Sequence, residues 1–159
     1  EKIKENTNTN CGQNKPTLIN KAISTIKGHV EFTRIKDNTT GSHISGSKDF
    51  CYGELEKITV ETDSFNDIVS DFDFLKIDIE GHEAEVLLST NAENWINTDA
   101  MIEVGSAKNR ERIFNFFKDQ NVNLFAQKKN WLKVENLEDM PASYKEGSLF
   151  ISCKEFVPW

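Results

Sequence analysis

The segment FLKIDIEGHE, residues 74–83, gathers an ammonium, three carboxylates and an imidazole: Lys76, Asp78, Glu80, His82 and Glu83. Groups of these types can hold a polar ligand or take a proton from a hydroxyl, and a histidine titrates near neutrality. Read with a period of two, Phe74, Lys76, Asp78 and Glu80 point to one side and Leu75, Ile77 and Ile79 to the other. The aliphatic side predicts a strand packed well inside a sheet. An unpaired buried charge is very costly, so the polar side must meet partners, solvent or a ligand. Gly81 then breaks the strand, and Ala84, Leu87 and Leu88 recur at helical spacing. The chemistry-bearing groups therefore stand at a strand-to-helix turn.

The rest of the chain supplies elements to position that turn. Residues 1–16 are polar and asparagine-rich and read as the end of an exposed helix, leaving 17–159 as the domain. Strands are predicted at TLINKAI (17–23), HVEFTRI (29–35) and LEKITVET (55–62), with a loop over 36–49. Thr62 or Asp63 can cap a short helix with Phe65, Ile68 and Val69 on one face. After the strand FDFLKIDI (72–79) come DAMIEV (99–104), ended by Gly105, and an amphipathic helix over 108–120 with Ile113, Phe116 and Phe117 toward the core. VNLFAQ and SLFISCK are closing strands, separated by a connection containing Pro141 and Gly147. This alternation predicts an α/β fold whose sheet is mostly parallel, with an antiparallel edge at the end of the chain. Ligands of such sheets bind beyond the carboxyl ends of the strands, where Asp78, Glu80 and Gly81 lie and where Glu103 and Gly105 should be their neighbours.

Composition sets outer limits. The chain has 159 residues, one domain's worth, with 37% apolar and 28% charged residues. No run approaches the roughly 18 apolar residues of a membrane span. A net charge of −7 argues against binding along a nucleic-acid backbone. Cys11, Cys51 and Cys153 are far apart and without metal-site spacing, so they read as free thiols in a reducing compartment, the cytoplasm. His29, His43 and His82 form no local metal motif, and two carboxylates, Asp78 and Glu80, are too few to imply a bound magnesium.

The stretch TVETDSFNDIVSDFDFLKIDIEGHEAEVL, with Lys76, Ile77, Asp78, Glu80, Gly81 and Glu83 in a Lys-Ile-Asp-x-Glu-Gly-x-Glu turn, closely resembles the FkbM family of methyltransferases. TLINKAIS looks like the family's third strand and MIEVG like its fifth, so the resemblance covers roughly residues 17–155. It implies a Rossmann-like class I methyltransferase sheet of seven strands and S-adenosylmethionine as cofactor. The implied reaction is methylation of an oxygen on a sugar or other small-molecule acceptor; the charge and hydropathy above add the expectation of no nucleic-acid or membrane partner. The family opens with a strand, a glycine-rich turn and a second strand ending in an acidic residue, and none of these is found here. The expectation is a carboxy-terminal portion of a longer enzyme, lacking the first two strands and with an incomplete cofactor pocket. Those strands lie between the third and fourth in the family's order. Without them TLINKAI and FDFLKIDI must pair with each other or leave open edges.

Within the resemblance, Asp78, then Glu80, then His82 are the candidates for acid–base work on the acceptor. Asp78, Ala22 and Gly81 are expected against the cofactor, with Gly81 allowing close backbone approach, and Glu103 and His43 against the acceptor. Plainer roles stand beside these. Lys76 can simply pair with Asp78, Glu103 can pair or cap at the mouth of the sheet, and Glu83 is favoured in a first helical turn by the helix dipole. Phe114, Phe116, Phe117 and Trp131 read as packing. A non-catalytic remnant or binding module that keeps the second half of the fold is the alternative to an enzyme.

Overall fold

The structure is a computed structural model and describes residues 2–11, 16–36, 41–48 and 53–159. A polar helix, α1 (Lys2–Asn10), precedes a four-stranded sheet of β1 (Ala22–Ser24), β2 (Gly28–Ile35), β3 (His43–Ile44) and β4 (Leu55–Ser64), in the order β1-β4-β2-β3. Alternation in β2 and β4 sets Val30 against Val60 and Phe32 against Ile58 across an antiparallel ladder, the cross-strand apolar pairing that stabilises such ribbons. β1 adds to β4 in parallel, with Ala22 opposite Thr62.

Beyond β4 the chain forms α2 (Phe65–Ile68), β5 (Phe74–Ile77), α3 (Glu83–Leu87), β6 (Asp99–Glu103), α4 (Ala107–Phe117), β7 (Asn123–Ala126), β8 (Leu132–Lys133) and β9 (Ser148–Ser152). These strands make a second sheet in the order β5-β6-β9-β7-β8. One face carries Ile77, Ala100, Ile102, Leu124, Leu149 and Ile151 into a core shared with Leu87 of α3 and with Ile113 and Phe117 of α4. Full burial of such side chains contributes about 1.5–3 kcal/mol each. Trp95, also fully buried, meets Phe117 edge-on at 5.7 Å, and its indole N–H donates to Thr90 Oγ1 at 3.0 Å. On the other face Phe125 and Phe150 pack together, and Trp159 of the carboxy-terminal segment covers Phe150 at 5.0 Å. No helix among the described residues is long and apolar enough to cross a membrane. Cys11 and Cys153 are free thiols, and Cys51 lies outside the described residues.

Several expectations are corrected. The strands form two mixed sheets rather than one mostly parallel one, and among the described strands only β1–β4 and β5–β6 pair in parallel. β2 meets β4 antiparallel, and β9 enters between β6 and β7, antiparallel to both, so the closing strand is internal and β8 is the edge. The strand expected over 17–23 is reduced to Ala22–Ser24, and the one over 72–79 to Phe74–Ile77. Among the described residues each has a sheet neighbour on one side alone, β4 and β6 respectively. Of the two outcomes foreseen for these strands, pairing with each other is not realised among the described residues, and Phe74 of β5 is 52% exposed. Ser64, the last residue of β4, rather than Thr62 or Asp63, precedes α2, and its side chain makes no capping hydrogen bond. There Thr62 donates to the Ile26 carbonyl and Asp63 pairs with Lys21 at 3.0 Å.

Candidate functional site

β5 and β6 run parallel with Ile77 opposite Ile102, which puts Asp78 beside Glu103 at adjoining carboxyl ends. The chain then turns sharply through Glu80 at φ +56° and Gly81 at φ +98°. A residue with a side chain costs about 1–2 kcal/mol in that left-handed region. The turn is held from the far side by Glu83, whose Oε1 accepts from the N–H of Ile79 at 3.2 Å and of Gly81 at 3.1 Å. Its Oε2 accepts from Asn109 Nδ2 at 3.3 Å, and the same amide donates to the Gly81 carbonyl at 3.2 Å. Glu83 is 2% exposed, and burial pushes its carboxyl above the usual carboxylate range.

The turn also docks on the first sheet. A Cβ on Gly81 would stand 2.5 Å from the Ser47 carbonyl oxygen, so no larger residue fits there. His82, at the N-cap position of α3, places Nε2 3.3 Å from Ser24 Oγ and Nδ1 3.2 Å from Ser47 Oγ. Burial lowers its pKa, so the ring is neutral at neutral pH, accepting from one serine and donating to the other. Lys48 pairs with Glu80, and Arg112 with Glu85 at 2.6 Å. Lys76 stands 3.8 Å from Asp78 with both side chains half exposed, a pair worth little.

Two cavities meet at this turn. The larger, of about 1240 Å³, lies between residues 44–48, the 78–82 turn and the start of α4, and Glu103 and Tyr144 also line it. Glu80 and Glu85 are neutralised there by Lys48 and Arg112, whereas the Glu103 carboxylate has no hydrogen-bond or ion-pair partner among the described residues. The smaller, of about 230 Å³, is walled mainly by Ala22, Ile23, Phe32, Ile44 and Ile79. Asp78, Glu80 and Ile44 border both. Among the described residues no group of three or more His, Cys, Asp or Glu side chains is arranged to hold a metal ion.

The family model for the methyltransferase FkbM domain matches residues 1–142. The chain belongs to the FkbM methyltransferase family. No curated protein and no solved structure matches it.

In this FkbM-family chain Asp78 and Glu80 come together on the wall between the cavities, and Gly81, His82 and Glu103 face the larger one. Ala22 and His43 lie together on the smaller. His43, expected on the acceptor side, is thus beside the position expected for the cofactor, 2% exposed and with Nδ1 2.8 Å from the Gly41 carbonyl. The close approach that Gly81 permits is made by Ser47. Glu83, in the first turn of α3, braces the 79–81 turn and also lines the larger cavity. Of the loop around His43, residues 38–40 lie outside the described residues, and Ser42 accepts from the Ile35 N–H.

Sequence reasoning missed Ser24, Ser47, Lys48, Asn109 and Arg112, all of which hold or line the site. Four of these lie in loops, a strand or a partly exposed helix position where their letters are ordinary. Asn109 had a signal: it is buried four and eight residues before Ile113 and Phe117, a polar residue on an apolar stripe.

Proposed function

We propose that the two cavities serve methyl transfer from S-adenosylmethionine to an oxygen of a sugar or other small molecule. The observation that carries this reading is the shared wall: a group held in one cavity meets a group held in the other past Asp78, Glu80 and Ile44. The smaller cavity suits a flat, mainly apolar ring system such as adenine between Ala22, Phe32 and Ile79, with the Asp78 carboxylate at hand as an acceptor. When bound, the cofactor supplies an electrophilic methyl group on sulfur. The chain's own residues then align the acceptor and accept its proton. Asp78, half exposed and lightly paired, accepts the hydrogen bond of the acceptor hydroxyl and takes up its proton. Glu80, anchored by Lys48, is the second carboxylate within the same wall, and Glu103 accepts from a further hydroxyl. His82 can act as a base only by giving up one of its serine contacts.

The same reading makes the two sheets portions of one Rossmann-like class I methyltransferase sheet. The alternative is a non-catalytic binding module that keeps this fold without turnover. Calorimetric titration of the 159-residue chain with S-adenosylhomocysteine separates the two. One-to-one binding, weakened about tenfold by Asp78→Ala, supports the methyltransferase reading with a working pocket. A folded chain that takes up none favours the binding module.

A further inference from the structure

Glu80 occupies a backbone conformation that a glutamate does not choose unaided, and it does so on the wall between the two cavities. The groups that impose this conformation lie on both sides of it. Glu83 Oε1 collects the N–H groups of Ile79 and Gly81, the residues flanking Glu80, within 3.2 Å. Asn109 closes the bracket from α4, donating to Glu83 Oε2 and to the Gly81 carbonyl. With residues 79 and 81 fixed, the peptide planes around residue 80 have little freedom, and its side chain is aimed at Lys48.

The choice of a carboxylate at position 83 needs a reason, because a buried charge facing amides is dearer than a neutral group of the same shape. Burial does raise the Glu83 pKa, so ionisation at neutral pH costs stability rather than adding to it. What a carboxylate alone offers is acceptor capacity on both oxygens, as two backbone N–H groups and one side-chain amide require. A glutamine would turn an N–H toward Asn109 Nδ2 or toward the two backbone donors.

We propose that Glu83 and Asn109 are positioning residues, which hold Glu80 in its left-handed conformation and thereby set the carboxylate on the wall between the cavities. Neither touches a reacting group in this scheme; both act through Glu80. The functional consequence rests on the methyl-transfer reading, but the placement of Glu80 does not.

Solution NMR on the wild type, Glu83→Gln and Asn109→Ala tests it, with thermal melting and S-adenosylhomocysteine titration on the same samples. The expected result is that both variants melt within about 4 °C of wild type, while residue 80 loses its left-handed backbone coupling and its contact with Lys48. Affinity for the homocysteine product should fall about tenfold in each. Glu80→Ala should fall as far, and Glu80→Ala combined with Asn109→Ala no further, because residues acting through one group are not additive. Retention of the left-handed geometry at residue 80 in both variants overturns the proposal, as does an additive loss in the double variant. A wild type that keeps Glu80 in place through Glu83 but binds no S-adenosylhomocysteine would instead overturn the methyl-transfer reading and leave the bracket standing.

Discussion

Gly81 and His82 show how single residues join the two halves of the molecule. Gly81 combines a left-handed backbone with a neighbour, the Ser47 carbonyl, standing where a side chain would begin. Gly81→Ala should therefore cost about 1–3 kcal/mol for the backbone conformation alone, with the clash added, read from the urea midpoint. His82 is held neutral between Ser24 and Ser47, with a folded-state pKa below its ordinary value. The unfolded chain consequently binds the proton first. The stability that the neutral ring contributes is complete above about pH 6.5 and is lost as pH falls from there toward the folded value. Denaturant titrations across that window should show a slope that His82→Gln removes; an unchanged slope would assign it to other groups. The type and spacing of Asp78, Glu80, Gly81 and His82 were legible in the sequence because they fall within five residues. Their partners Ser24, Ser47 and Lys48 were not, because contacts across 32 or more residues leave no local mark.

Among the elements, α4 carries the most weight for the site. Its amphipathic stripe was readable, and Ile113 and Phe117 are buried as the spacing predicts. The helix begins where Ser106 Oγ accepts the Asn109 N–H at 3.1 Å, so its cap and the amide that steadies the 78–82 turn are coupled. Ser106→Ala should lower stability by about 1 kcal/mol, visible as a lower melting temperature. β5 is the contrasting case. Alternation correctly assigned Ile77 and Leu75 to the core side and Lys76 to the polar side. Its length was overestimated, because a strand paired on one side loses its ends to solvent more readily than one paired on both.

The whole molecule is graded in stability from the centre of the second sheet outward. β9 lies between β6 and β7 with Leu149, Phe150 and Ile151 fully buried, whereas β1 and β5 are edges. Amide hydrogen exchange should be slowest at Leu149, Phe150 and Ile151, approaching the global unfolding free energy, and much faster in β1 and β5, through local opening. Equal protection of β5 and β9 would show that the β5 edge is covered in solution. Hydrophobic period, turn glycines and the KIDIEGHE turn determined the elements, the faces they bury, the family and the place to look for chemistry, since each is written in residues close in sequence. The tertiary structure decided which strands pair and in which sense, that β9 is internal, that His43 stands beside Ala22 on the smaller cavity, and that Glu83 braces the turn. Those outcomes depend on pairing and packing energies between distant segments, which no local pattern encodes.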